Sequence, residues 1–285
     1  MTTELAIGFF DGVHLGHRKL IGEMLKRAKE KGARSVVYTF CEHPASVLLG
    51  GRFAPALLLS ANQRIATIKS LGVDEVAAVH FTPALAALPP EEFAASLRRR
   101  FPGLDTVFCG ANWNFGAGGK GNAAYLRKLG MRAKVVSYAM RGGKPVSSTR
   151  IRAAIADGDM QLAASLLGRP YAVSGRIVRG KGVGRKIGFP TVNVEPDFAG
   201  PLPHGVYSVD TPAGRAVANF GLAPTMGKNA WESPVWELNF PEGLAASLPC
   251  RFTFTIREFI RPERKFATIA ELRAAIASDI LRALR

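Results

Sequence analysis

Hydrophobic residues in the first half of the chain alternate between a spacing typical of helices and short continuous runs typical of buried strands. Apolar residues recur at helical spacing after Leu15, which predicts a helix over 15–31 that ends at Gly32. A capping box, Ser60-x-x-Gln63, begins a further helix. Two more helices are predicted over 89–101 and 122–129, and strands over 5–10, 35–40, 75–81, 106–109 and 133–138. Strands that alternate with helices indicate a doubly wound α/β domain with a parallel sheet, whose ligands bind beyond the carboxyl ends of the strands.

The pattern changes between Gly158 and Tyr171. A helical stripe predicts one helix over 151–167, and short strands without intervening helices follow it, over 172–179, 205–211, 215–220, 235–240 and 251–260. Such a series indicates a small antiparallel β-barrel. A second capping box, Thr268-x-x-Glu271, begins a last helix whose apolar stripe is expected to pack on the barrel. We therefore predict two domains, 1–167 and 168–285.

Composition narrows the class of protein. The 285 residues are 47% hydrophobic and 21% charged, as in globular domains, and no run of about 18 apolar residues predicts a membrane span. The N-terminus has no secretion-signal pattern and the three cysteines are scattered, so we expect a cytoplasmic protein with reduced thiols. The net charge of +16 suits nucleic acid or phosphorylated small molecules. Because the basic residues are dispersed, we attribute most of the excess to solvated surface and expect no nucleic acid partner.

The most informative stretch runs from Gly8 to His17, where the first strand gives way to the first helix. Its glycines allow close approach of the backbone to a ligand, and the helix start presents N–H groups to an anion. His14 and His17 are three residues apart, so both imidazoles can face one space and donate to a phosphoryl oxygen. The alternative is a tight turn with two solvent-exposed histidines. The full spacing within a strand–helix junction favours the phosphate site.

Three further segments follow predicted strands of the same sheet. Ser147 to Arg152 offers hydroxyls, N–H groups and guanidinium forks suited to phosphates, or else an ordinary helix cap with two surface arginines. The loop over 110–116 offers flat aromatic and amide groups suited to a ring, or else aromatics that pack in the core, Phe115 in particular. His43, after the second strand, is either a phosphate contact or a capping side chain.

A second glycine-rich stretch, over 180–193, lies in the barrel half. Its glycines allow the backbone to wrap around phosphates, and its lysine and arginine side chains can neutralise them. Thr191 and Asn193 offer oxygen ligands for Mg²⁺ on alternate positions of an extended segment. A basic glycine-rich hairpin is the alternative interpretation.

Taken in order, these motifs resemble those of the bacterial bifunctional riboflavin kinase/FMN adenylyltransferases. The resemblance rests on Gly-x-Phe-Asp-Gly-x-His-x-Gly-His, Ser-Ser-Thr-x-x-Arg and Gly-Phe-Pro-Thr-x-Asn, and it extends over nearly the whole chain. It implies a nucleotidylyltransferase domain, then a riboflavin kinase barrel, with Mg²⁺ in both sites. ATP would be the co-substrate, and riboflavin, FMN and FAD the substrates or products. We expect small-molecule partners, no membrane, and a monomer or weak homo-oligomer.

The resemblance also implies roles for individual residues. Charge neutralisation in adenylyl transfer falls to His14, His17 and Arg152. Asp11 is an orienting acceptor or part of the magnesium and ribose environment. The residues expected to bind ATP or its phosphates are Gly8, Phe10, Asp11, Gly16, Ser148, Thr149, Gly180, Lys181, Gly182 and Lys186. Those expected near the flavin are His43, Asn112, Trp113, Phe115 and Arg261.

The kinase reaction needs a base, and the resemblance implies a glutamate that follows the Asn-Phe-Gly and Pro-Thr markers. Glu237 takes this role here, with Glu232 as the competitor. The chain departs from the family after Glu237, where it has Asn239-Phe240 and no Tyr-Gly pair. Two rival functions remain open: an enzyme with only one of the two activities, and a flavin- or RNA-binding regulator derived from such an enzyme.

Overall fold

The computed structural model of the chain describes residues 1–50, 55–180, 183–223, 233–244 and 246–284. The chain forms two compact units, Met1–Ser148 and Thr149–Arg285. The two units divide at a different position from the predicted domain boundary between residues 167 and 168, which stays a prediction. Within the described ranges, no helix is both long and apolar enough to cross a bilayer.

The first unit is a five-stranded parallel sheet covered by helices, as predicted. The strands are arranged in the order β3-β2-β1-β4-β5. They are β1 (Thr3–Ile7), β2 (Arg34–Phe40), β3 (Glu75–Val79), β4 (Leu104–Gly110) and β5 (Arg132–Val136). The helices are α1 (Leu15–Lys31), α2 (Pro44–Leu48), α3 (Ala61–Lys69), α4 (Pro83–Ala86), α5 (Pro90–Arg100) and α6 (Ala123–Lys128). A short hairpin of β6 (Met140–Arg141) and β7 (Lys144–Pro145) follows.

Two hydrophobic cores lie on opposite faces of this sheet. Leu5 of β1 belongs to a cluster with Leu97 of α5, whereas the next residue, Ala6, belongs to a cluster with Ile21 of α1 and Ile68 of α3. Successive side chains of a strand point to opposite faces, so a strand that is buried on both faces must be apolar at every position. This arrangement confirms the doubly wound fold and leaves the carboxyl ends of the strands open for a site.

The second unit contains the predicted antiparallel barrel. Helices α7 (Ser148–Ala156), which spans the division between the units, and α8 (Met160–Leu167) precede it. The barrel strands are β8 (Tyr171–Val178), β9 (Thr191–Pro196), β10 (Gly205–Thr211), β11 (Gly214–Ala223), β12 (Ser233–Asn239) and β13 (Arg251–Pro262), closed in the order β10-β11-β12-β9-β8-β13. The remaining helices are α9 (Val183–Lys186) and α10 (Ile269–Ala283).

Aromatic side chains fill the barrel. Trp236 is fully buried and stacks on Phe220, with 4.5 Å between ring centroids. On the outside, α10 contacts β10, β11 and β13, and its Ala283 clusters with Val206 and Ile260. The last helix therefore packs on the barrel, as predicted.

The structure contains elements that the sequence did not predict, among them α2, α4 and β9, and two of the predicted elements differ from what was expected. The single helix expected over 151–167 is wrong, because Gly158 has a φ of 75° and Asp159 begins a new helix by accepting the N–H of Leu162. The first strand ends at Ile7 rather than at position 10, because Phe10 has a left-handed φ of 58°. The three cysteines are free, as predicted, and burial raises the pKa of the Cys109 thiol to about 11.

Candidate active sites

The turn between β1 and α1 has a strained backbone. Phe10 and Val13 have φ values of 58° and 41°, and Gly12 between them has a φ of 76°. A positive φ is costly for a β-branched residue such as valine, and strain of this kind persists only where the surroundings enforce it. The N–H of Val13 donates to the carbonyl oxygen of Phe10 at 3.0 Å. The strain marks this turn as a candidate functional element.

Asp11 anchors the strained turn from within the protein. Its side chain is almost fully buried, and its Oδ1 accepts the backbone N–H of Leu58 at 2.9 Å. The hydroxyl of Ser148 donates to the backbone oxygen of Asp11, also at 2.9 Å. Of the two predicted roles of Asp11, these contacts support the orienting acceptor. They also give Ser148 a positioning contact that its predicted role as a phosphate ligand did not include.

The structure brings the two predicted histidines together at the start of α1. Their rings are stacked, with 3.6 Å between centroids and 17° between planes. The Nδ1 of His14 accepts the backbone N–H of His17 at 3.4 Å. A Cβ atom at Gly16 would lie 3.1 Å from Cε1 of His14, and one at Gly8 would lie 3.1 Å from the ring of Phe10. The two glycines therefore leave the room that the rings occupy.

The surroundings of His17 favour its neutral form in the absence of a ligand. Burial lowers its pKa well below the usual value, and the charges of His14 and Arg64 lower it further. Its Nδ1 is buried and has no hydrogen-bond partner in the described part of the chain. A bound anion would give this nitrogen a hydrogen-bond partner and would favour the protonated form of His17. The two histidines are therefore suited to binding phosphate oxygens.

The predicted flavin loop follows β4. Trp113 stacks on Phe115 with 4.8 Å between centroids, and Phe115 is buried in the core beside Phe93. Asn112 is exposed. Phe115 thus supports Trp113 from the core side, and both Asn112 and Trp113 remain accessible.

The Nδ1 of His43 accepts the N–H of Ala45 at 3.1 Å, and the His43 ring meets Phe9 edge-on at 4.6 Å. This is the capping alternative, in which His43 begins α2. Thr149 and Arg152 lie on α7, where Thr149 is exposed and Arg152 half-buried.

A second set of predicted residues meets on the outside of the barrel. Glu237 of β12 lies opposite Asn193 of β9 on one side and Asn219 of β11 on the other. Directly opposed residues of antiparallel strands project from the same face. Since Trp236 and Leu238 are fully buried inside the barrel, this row points outward, and Glu237 is exposed. The structure therefore brings Asn193 and Glu237 together, as their predicted roles require.

Glycines of the preceding loop leave space for the two predicted oxygen ligands. A Cβ atom at Gly180 would lie 2.6 Å from Cγ of Asn193, and one at Gly184 would lie 3.3 Å from Oγ1 of Thr191. Lys181, Gly182 and Glu232 lie outside the described residues, as does the side chain of Lys186. At Gly184 the closest atom is the carbonyl oxygen of Phe189, so crowding within the loop accounts for glycine at 180 and 184.

Arg261 has a contact that its predicted role did not include. Its Nε and Nη2 donate to the carboxylate of Asp279 on α10 at 2.9 and 2.7 Å. Asp279 is buried, so this bidentate pair ties β13 to the last helix. Arg64, a buried arginine on the apolar face of α3, is not among the residues predicted from the sequence. Its spacing of four from Ile68 was the available signal.

The turn over 8–17 has a strained backbone and follows the central strand of a doubly wound sheet, and the same chain contains a barrel with an outward row of polar groups. These are the features expected of a two-domain phosphate-transferring enzyme. Comparisons with known proteins give the family. The FAD synthetase family model matches residues 1–150, and the riboflavin kinase family model matches residues 167–285. The chain belongs to the family of bifunctional riboflavin kinase/FMN adenylyltransferases.

Two similar proteins carry the description of this family, and one solved structure shares the fold. The bifunctional riboflavin kinase/FMN adenylyltransferase of Escherichia coli (strain K12) is 34% identical over 98% of this chain and 91% of its own length. The protein of the same description from Bacillus subtilis (strain 168) is 34% identical over 99% and 91%. A crystal structure described as a macrolide-efflux protein from Streptococcus pneumoniae superposes with a TM-score of 0.81 at 26% identity, covering all of this chain and 94% of that one.

Proposed function

We propose that this chain makes FAD from riboflavin in two steps. The barrel phosphorylates riboflavin with ATP to give FMN, and the α/β domain transfers AMP from a second ATP to FMN, giving FAD and pyrophosphate. Family membership over nearly the full length of the chain carries the proposal. The division of the chain into two compact units, the first with His14 and His17 and the second with Asn193 and Glu237, supports it.

In the adenylyl-transfer step, an oxygen of the FMN phosphate attacks the α-phosphorus of ATP, and the bond to the bridging oxygen of pyrophosphate breaks. His14, His17 and Arg152 neutralise the charge that builds on the phosphoryl oxygens. The turn over Gly8–Gly16 brings backbone N–H groups to the phosphates, and Asp11 holds the turn in its strained shape. No covalent enzyme intermediate is needed, because positioning and charge stabilisation suffice for in-line transfer.

In the kinase step, a ribityl hydroxyl oxygen attacks the γ-phosphorus of ATP and ADP leaves. Glu237 accepts the hydroxyl proton, a role that its exposure and its position opposite Asn193 support. Glu232 remains the alternative base, and it lies outside the described residues. Comparing Glu237→Gln with Glu232→Gln separates the two, because only loss of the base should abolish FMN formation.

The proposal includes Mg²⁺ in both sites. In the barrel, the Thr191 hydroxyl and the Asn193 amide oxygen would hold it, and the space left by Gly180 and Gly184 fits this use. Among the described residues, no cluster of three or more His, Cys, Asp or Glu residues could hold a metal. Sparse protein ligands suit Mg²⁺, which keeps waters and binds substrate phosphates. The ion would neutralise charge on the phosphates during transfer.

For the flavin, Asn112 and Trp113 supply an accessible amide and an aromatic face, with Phe115 and His43 holding the loop and turn around them. We further propose a cytoplasmic protein, monomeric or weakly self-associating, whose partners are small molecules rather than nucleic acid.

Incubation of the purified chain with riboflavin, ATP and Mg²⁺, followed by chromatography of the products, tests the proposal. FMN should appear first and FAD later. FMN without FAD, or conversion of supplied FMN without conversion of riboflavin, would indicate an enzyme with one activity. Salt-sensitive RNA binding without turnover would instead indicate a regulator.

A further inference from the structure

Arg64 is the least expected side chain of the first unit. It lies on α3, its exposed fraction is zero, and its helix neighbour four residues on, Ile68, is a core residue. Removing a guanidinium from water is costly unless its charge is balanced and its N–H groups are hydrogen-bonded. A buried arginine therefore indicates a structural or functional role that offsets this cost.

The contacts of Arg64 connect two elements of the adenylyl-transfer site. Its Nη2 donates to the carbonyl oxygens of Phe40 and Cys41, the latter at 3.2 Å, where β2 ends. Its guanidinium carbon lies 4.1 Å from the ring centroid of Phe9, which immediately precedes the strained residue Phe10. Arg64 thus lies beneath the carboxyl ends of the strands, where the phosphate turn begins.

The positive charge of Arg64 is incompletely compensated. Its Nε and Nη1 have no hydrogen-bond partner, and no carboxylate forms an ion pair with it, within the ranges that the structure describes. Burial lowers the pKa of Arg64, while Asp11, Cys41 and Glu42 oppose that shift from a distance. The charge also reaches His17 and contributes to its lowered pKa. A buried charge acts strongly on a nearby site because little water screens it.

We propose that Arg64 is a positioning residue of the adenylyl-transfer site, a buried cation that stabilises the polyphosphate bound at His14 and His17 without touching it. The zero exposure argues against direct contact with a ligand. The two carbonyl oxygens and the Phe9 ring hold the guanidinium in place. The inference rests on the proposed adenylyl transfer, since it assigns the charge to that reaction's nucleotide.

The test compares Arg64→Met and Arg64→Gln, which remove the charge, with Arg64→Lys, which keeps it. Lys69→Met removes an exposed charge from the same helix and is the matched control. In FMN-to-FAD assays, the neutral variants should raise the KM for ATP about tenfold, the size expected for one charge acting through partly buried protein. Arg64→Lys and Lys69→Met should stay within about twofold of the wild type. Urea unfolding of the same samples reports whether the first unit remains folded, because riboflavin phosphorylation is assigned to the second unit.

If Arg64 only packed in the core, its replacement would leave the pKa of His17 unchanged. This pKa, followed by NMR without nucleotide, therefore distinguishes an electrostatic role from a packing role. It should rise in Arg64→Met and Arg64→Gln, because a repelling charge is gone, and stay constant in Arg64→Lys. Equal loss of activity in all three variants with an unchanged His17 pKa would overturn the proposal. So would an unchanged KM in both neutral variants. If the wild type does not convert FMN, the proposed function fails, whereas the His17 titration still tests the electrostatic inference.

Discussion

Replacing Gly180 with alanine should impair the kinase site while leaving the adenylyl-transfer site intact. The new Cβ atom would lie 2.6 Å from Cγ of Asn193, whereas non-bonded carbon atoms pack at about 3.5–4.0 Å. Because Nδ2 of Asn193 lies closer still, the amide must move by about 1–2 Å. Misplacing a reacting or ligand-holding group by about 1 Å can reduce turnover about 100-fold. Because Asn193 is only half-buried, it has room to move, and we expect a stability cost of about 1 kcal/mol.

The assay measures kcat/KM for riboflavin phosphorylation and for FMN-to-FAD conversion on the same preparation. Gly180→Ala should lower the first about 100-fold and leave the second unchanged. Asn193→Ala and the double variant complete a cycle, and the double variant should be no worse than Asn193→Ala, because both changes act through one side chain. Gly22→Ala, at a helix glycine with nothing within 4 Å, controls for the substitution itself. Wild-type kinase activity in Gly180→Ala, or losses that multiply in the double variant, would refute this reasoning.

Three further predictions concern stability and are measured by urea unfolding. The pKa of His17 is lower in the folded chain than in the unfolded chain, so at acidic pH the unfolded chain binds one proton more. The free energy of unfolding should therefore fall as pH drops below about 6.5. His17→Gln should reduce this pH dependence. Asp11→Ala should cost about 1–3 kcal/mol by leaving the buried N–H of Leu58 without its acceptor, whereas Asp11→Asn, which keeps an acceptor oxygen, should cost less. Asp279→Ala should cost about 3 kcal/mol by leaving Arg261 without its bidentate partner, and equal stability of this variant and the wild type would contradict the role of the pair.

The fold was largely predictable because its signals are local. The capping box at Ser60, the Thr268 cap that begins α10, the glycine that ends α1 and the uninterrupted apolar strands all follow from backbone chemistry that a short window contains. The second half of the box predicted at Thr268 is absent, because the Glu271 carboxylate accepts the N–H of Ala267 instead. The break between α7 and α8 was not predicted, because the apolar stripe continues across it and only the left-handed backbone of Gly158 interrupts it. Strand β9 was not predicted, because the glycine and basic residues that precede it interrupt the apolar pattern of a strand.

The sites were predictable as motifs but not as contacts. Spacing indicated that His14 and His17 would share one space, and they do. It did not indicate that Ser148 holds the backbone of Asp11, because those residues are 137 positions apart. Arg64 escaped detection for a related reason: its contacts are with backbone oxygens at the end of another strand, which no local pattern specifies.

The claim that one chain holds two independent transfer sites is tested most directly by mixing two variants. His17→Gln should keep the kinase and lose adenylyl transfer, and Asn193→Ala should do the reverse. With riboflavin, ATP and Mg²⁺, each variant alone should form little or no FAD, while an equimolar mixture should form it as FMN passes between molecules. A mixture that forms no more FAD than the separate variants, with wild type active under the same conditions, would contradict the account.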